Sequence, residues 1–148
     1  MVPFRSYAID TDVLVDRSNE DKTHILLIED SHSDVFLVKR MLHNVSRGEE
    51  FEITDVPRMA EALELLDKSS FDIVLLDLHL LDIEGLAAVS ALHAEIPNTP
   101  IIVYSGTHDP KLREGALMCG ARHYLVKGRE SAFSLRFMIQ QTLSYQAA

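Results

Sequence analysis

A single cysteine, Cys119, is all that 148 residues supply, so no disulfide can close within the chain and no cysteine cluster can hold a metal. No stretch approaches the roughly 20 apolar residues of a membrane span or the pattern of a secretion signal. The cytoplasm is therefore the expected compartment, and no membrane partner is expected. Basic residues are outnumbered as well: 14 Lys and Arg stand against 23 Asp and Glu. The resulting net charge of −9 argues against direct binding to nucleic acid or to an acidic membrane. No glycine-rich loop offers to cradle a phosphate, since the turn after Asp30 has no glycine and Ser105-Gly106 has one. The seven histidines nowhere fall four apart on an expected helix, so they read as scattered surface residues and not as a zinc site.

What the chain does have is acid at the ends of apolar runs. His24 to Asp30 reads HILLIED, and Phe71 to Asp77 reads FDIVLLD. Continuous Val, Ile and Leu is the pattern of a strand covered on both faces, as in the middle of a parallel sheet. In such sheets ligand chemistry collects beyond the carboxyl ends of the strands. Glu29, Asp30 and Asp77 would converge there, and three carboxylates together call for a cation.

The rest of the chain alternates in the same way. Residues 1–21 lack sustained periodicity apart from the apolar patch at Val13 to Val15, and are expected to form an extension that packs weakly. Residues 22–146 are expected to form one domain. Ser31-His32-Ser33-Asp34 opens a helix carrying Val35, Val38, Met41, Leu42 and Val45 at helical spacing. Phe51 to Val56 is a short strand, and Pro57 opens a helix with Met59, Ala62, Leu63 and Leu66 on one face. After Asp77 come a helix from Leu86 to about Glu95, a strand from Pro100 to Tyr104, and a helix from Lys111 to Cys119 closed by Gly120. A last strand at His123 to Val126 leads into a helix from Ser131 to about Tyr145. Five βα units of this kind fold as a doubly wound parallel α/β sheet.

Four strand ends then hold Glu29 with Asp30, Asp77, Ser105 and Lys127. Paired acids with a third carboxylate suit Mg²⁺, a hard cation that takes oxygen ligands and bridges to phosphate. Asp77 can serve as a nucleophile, because a carboxylate accepts a phosphoryl group as a mixed anhydride when the charge on the transferring oxygens is neutralised. Lys127 supplies a neutralising cation, and the Ser105 hydroxyl can hydrogen-bond a phosphoryl oxygen.

At these residues the chain resembles the receiver domain of two-component response regulators, from about Thr23 to Tyr145. The elements recur in order: the acidic pair after the first strand, Asp77 after the third with Gly85 in the next loop, Ser105 after the fourth, Gly120-Ala121 before the fifth, and Lys127 three residues after Tyr124. The resemblance implies a flavodoxin-like five-stranded sheet in the order 2-1-3-4-5 with helices on both faces. It implies phosphorylation of Asp77 by a histidine kinase or phosphotransfer protein, with Mg²⁺ held by Glu29, Asp30, Asp77 and the backbone carbonyl of His79. Ser105 and Tyr124 would be the switch pair, the tyrosine rotating inward as the serine is drawn to the phosphoryl group. The face of the last two helices and the final strand would be read by a downstream protein, by a domain missing from this chain, or by a second copy in a homodimer. Catalysis would be self-directed, limited to accepting and losing the phosphoryl group.

Two positions depart from the family pattern. Gly128 follows Lys127 where a proline is usual, so a trans peptide with positive φ at Gly128 is expected. Leu81 stands where the loop after the phosphoacceptor usually has proline. The rival readings are a degenerate receiver that acts as a phosphorylation-independent interaction module, and a haloacid-dehalogenase-like phosphatase. The latter needs a second Asp where this chain has His79, which reads as a solvated loop residue.

Overall fold

The computed structural model describes residues 22–46 and 51–147; the extension expected at residues 1–21 lies outside these, as does the side chain of Val45. In chain order the elements are β1 (Thr23–Ile28), α1 (His32–Ser46), β2 (Phe51–Val56), α2 (Met59–Lys68), β3 (Ile73–Leu76), α3 (Leu86–Glu95), β4 (Ile101–Ser105), α4 (Pro110–Met118), β5 (His123–Val126) and α5 (Ala132–Ala147). All strand pairings are parallel and the order is β2-β1-β3-β4-β5. This is the flavodoxin-like sheet that the alternation and the resemblance implied.

The apolar runs are continuous because each strand face meets its own layer of helices. Leu26, Ile28, Val74, Leu76, Ile101 and Val103 pack with Met59 and Ala62 of α2, Ala88, Val89 and Leu92 of α3, and Ala116 of α4. Their neighbours along the strands, Ile25, Leu27, Ile73, Leu75 and Ile102, turn the other way onto Val38 and Leu42 of α1 and Leu135 and Ile139 of α5. Successive strand residues thus serve opposite cores, and each such side chain contributes about 1.5–3 kcal/mol when fully buried. The outer strand β2 is less covered and carries exposed Glu52 and Asp55, as suits a sheet edge.

The helix starts show local and remote control. At α1 the Ser31 hydroxyl accepts the Asp34 N–H at 3.3 Å, as the capping motif predicts. At α4 the helix begins one residue before the expected Lys111: Asp109 caps it by accepting the Lys111 N–H at 2.9 Å, and Pro110 fills the first position, where no N–H is needed. Pro57, in contrast, does not open α2. That helix starts at Met59 after an extended Arg58 whose side chain makes no cap. Its first N–H groups go to Asp82, 23 residues further on in the β3–α3 loop: Met59 and Ala60 each donate to a carboxylate oxygen at 3.0 Å.

Because all five strands run in parallel, the residues after β1, β3, β4 and β5 share one edge of the sheet.

Candidate functional site

The backbone ladder carries the acids to their places. Glu29 N–H donates to the Val56 carbonyl and Asp77 N–H to the Ile28 carbonyl, each at 3.0 Å, so both residues are held one step beyond their strands. Their side chains are buried, Glu29 to 4% exposure and Asp77 to 5%. One carboxylate oxygen from each of Glu29, Asp30 and Asp77 lies within 4.8 Å of the others. The convergence read from the two apolar runs is therefore present.

Lys127 enters from the end of β5, its N–H fixed on the Ser105 carbonyl at 2.8 Å. Its ammonium reaches Glu29 Oε1 at 2.5 Å, Asp34 Oδ2 at 2.9 Å and Asp77 Oδ1 at 3.4 Å. Burial alone would lower the pKa of this amine. The bonds to Asp34 and Glu29 and the charge of Asp77 outweigh it and hold Lys127 above the usual lysine range. Glu29 is pushed the other way from a normal ion-paired acid: burial, helped by the neighbouring Asp77, raises its carboxyl despite the opposing Lys127 bond. A buried acid with raised proton affinity beside two more carboxylates is a site that gains by taking in a cation.

The loop after Asp77 is tightly built. His79 N–H donates to Asp77 Oδ2 at 3.3 Å, and Leu78 and Leu80 are buried on either side of the exposed His79. His79 is exposed, in keeping with a solvated loop residue, and its ring also has a partner: Nε2 lies 2.7 Å from Thr107 Oγ1. Gly85 N–H closes the loop on the Leu78 carbonyl at 2.8 Å. Leu81, in the place of the usual proline, is 76% exposed.

Ser105 is fully buried at the end of β4, and its hydroxyl accepts the Thr107 N–H at 3.3 Å. Tyr124 differs from the outward starting position expected for a switch. It already lies inward, 5% exposed, with its hydroxyl donating to the Thr107 carbonyl at 2.7 Å. Burial is the main cause of its raised pKa, partly offset by the Ser105 hydroxyl. Among the described residues no peptide is cis, and Gly128 has φ of +85°, the left-handed conformation expected where the family's proline is missing.

Sequence reasoning passed over three contributors. Asp34 entered it only as part of a helix start, although an acid in the first turn of a helix beginning beside the site was a usable signal. Thr107, which bonds both the His79 ring and the Tyr124 hydroxyl, and Asp82, which ties that side of the site to α2, are paired across distances that no local motif encodes.

A sequence profile of the response regulator receiver domain matches residues 25–134. The cell cycle transcriptional regulator CtrA of Caulobacter vibrioides is 29% identical over 103 residues, covering 70% of this chain and 43% of CtrA; this chain thus spans less than half the length of that relative. A response regulator from Burkholderia pseudomallei, solved with a phosphorylated aspartic acid, a calcium ion and citrate, is 25% identical with a TM-score of 0.68, over 84% of this chain and 70% of that one. The receiver domain of a sensor histidine kinase from Pseudomonas aeruginosa, with magnesium coordinated in its cleft, shares the fold at 23% identity and a TM-score of 0.71, over 83% of this chain and 98% of that one. No helix among the described residues is long and apolar enough to cross a membrane. The profile runs from within β1 to the start of α5, and takes in each acid, hydroxyl and lysine gathered at the strand ends: the chain belongs to the response regulator receiver family of two-component signalling.

Proposed function

We propose that residues 22–146 form a phosphoacceptor receiver that takes a phosphoryl group from a histidine kinase or phosphotransfer protein onto Asp77 and presents a changed surface to a partner. The observation that carries this reading is the Lys127 ammonium set between Asp77 and Glu29, beside three carboxylates whose oxygens gather within 4.8 Å. The donor set is all oxygen, which fits Mg²⁺, with Glu29, Asp30, Asp77 and the His79 carbonyl as holders. When bound, Mg²⁺ would supply positive charge to the phosphoryl oxygens and relieve the repulsion among the acids.

A carboxylate oxygen of Asp77 attacks phosphorus, the acyl phosphate bond forms, and the bond to the donor's imidazole nitrogen breaks. Lys127 balances charge on the transferring group, and the Ser105 hydroxyl donates to a phosphoryl oxygen once it turns from Thr107. Ser105 and Tyr124 are retained as the switch pair. Because Tyr124 already lies inward on Thr107, the response would run through loss of the Ser105–Thr107 contact and a shift of the 106–109 loop. We place the readout on the face of α4, β5 and α5, where exposed Met118 and Tyr145 leave apolar surface for a downstream protein or a homodimer. The magnesium-bound and aspartyl-phosphorylated receivers among the structural relatives support the reading.

The test is labelling with acetyl phosphate and Mg²⁺. The wild-type label should be lost at alkaline pH, as an acyl phosphate is, and Asp77→Asn should take none. Equal, alkali-stable labelling of that variant would remove Asp77 from its role, and an unlabelled wild type would favour the interaction-module reading.

A further inference from the structure

Lys127 has three N–H donors, and three carboxylates receive them. Two of the three, Glu29 and Asp77, belong to the cluster suited to a cation, while Asp34 stands outside it. Any cation that enters the cluster takes lone pairs from Glu29 and Asp77 and repels the ammonium between them. Lys127 is poorly placed to absorb that loss, since its side chain is only 18% exposed and an unpaired charge there is costly. It would leave for solvent unless some other acid held it.

Asp34 is arranged to be that acid. Its Oδ2 lies 2.9 Å from the ammonium, farther than Glu29 at 2.5 Å but nearer than Asp77 at 3.4 Å. Its backbone is pinned by the Ser31 cap in the first turn of α1, where the helix end favours a negative side chain. The Asp34 side chain is one-third exposed, so holding a lysine costs it little desolvation.

We infer that Asp34 is a positioning residue for Lys127: it retains the ammonium beside the strand ends when Glu29 and Asp77 are given over to a divalent cation, leaving an N–H free for an incoming phosphoryl oxygen. This rests on the receiver reading above and deepens it. The bare alternative is that Asp34 matters only as one more negative charge. Asp34→Asn and Asp34→Ala separate the two, because both lose the charge but asparagine keeps an acceptor oxygen on the same branch.

The experiment follows the Lys127 ammonium signal by nitrogen-15 NMR on the full chain, first without metal and then with Mg²⁺ alone. The signal should persist with Mg²⁺ in wild type and in Asp34→Asn, and broaden away in Asp34→Ala, while the signal of Lys39, paired with Asp55 at 2.6 Å, stays in all three. Labelling by acetyl phosphate should then be slowed about fivefold in Asp34→Ala and less than about twofold in Asp34→Asn, the ratio expected for one lost hydrogen bond. A Lys127 signal that survives Mg²⁺ in Asp34→Ala overturns the inference, and so do two variants shifted by the same factor. If wild type takes no label, the receiver reading fails, yet the NMR comparison with Mg²⁺ still decides what Asp34 does for Lys127.

Discussion

Acids in this molecule fall into two groups that the fold treats in opposite ways. Glu29, Asp30 and Asp77 are turned toward one another at the strand ends, two of them buried. Asp72, Asp82 and Asp109 sit exposed and are turned onto backbone N–H groups: His24 at 2.8 Å, Met59 and Ala60 at 3.0 Å, and Lys111 at 2.9 Å. The second group satisfies donors that helix and strand ends leave unpaired, so it supports the fold. The first group accumulates like charge that the Lys127 ammonium offsets only in part, which opposes folding until a further cation arrives. A functional acid is thus distinguished less by burial than by the company it keeps, and the two groups should answer neutralisation with opposite signs.

The largest contrast should come from Asp30, which belongs to the cluster but does not share Lys127. Without metal, Asp30→Asn should stabilise the protein by about 1 kcal/mol, the order of a relieved repulsion at intermediate dielectric. With Mg²⁺ at a hundredfold excess over its dissociation constant, wild type should gain about 2.7 kcal/mol, and the variant only a small part of it. Urea unfolding with and without Mg²⁺ measures both. A variant that is destabilised alike in the two conditions would put Asp30 in the structural group.

Asp82 should behave in reverse. Asp82→Ala leaves the first N–H groups of α2 without their acceptor and should cost about 1–2 kcal/mol, with Asp82→Asn recovering part of it. Faster amide exchange at Met59 and Ala60 would locate the loss. The Mg²⁺ increment should stay close to that of wild type, since Asp82 works at the far side of the loop. A variant with normal stability and weakened Mg²⁺ binding would erase the boundary between the two groups.

The contrast also accounts for what the sequence could reveal. HILLIED and FDIVLLD disclose strands and site together, because both-face burial demands an unbroken apolar run and parallel strands bring their ends to one edge. The start of α1 was readable because Ser31 and Asp34 lie within one turn. The start of α2 was not: Pro57 looks like a helix entrance, but the acceptor is Asp82, brought close only by the β3–α3 loop. Asp34 was visible as a cap motif and hidden as a lysine partner, since its contact spans 93 residues. Thr107 has neither a charge nor a spacing to mark it. Local hydrogen bonding and face periodicity are written in short windows, whereas pairings between loops depend on the finished topology.

The smallest effects concern pH, and here the two groups should be separable in the wild-type protein alone. The N–H groups of Ala60 and Met59, acting against a slight burial, bring Asp82 below its ordinary 3.8, so its contribution is fully present above pH 3.8 and is lost as pH falls through the lowered value. Glu29 is raised above 4.5, chiefly by burial, so its contribution is present below pH 4.5 and is lost as pH rises through the raised value. Metal-free protein should therefore lose stability in both directions from a narrow range between pH 3.8 and pH 4.5 so far as these two acids are concerned. Urea unfolding across this range should show Asp82→Asn flattening the acid side and Glu29→Gln flattening the other. Mg²⁺ should invert the Glu29 side only, because a bound cation favours the ionised acid that burial disfavours. If Mg²⁺ leaves the slope above pH 4.5 unchanged while binding is shown independently, Glu29 is not among the acids that the cation relieves.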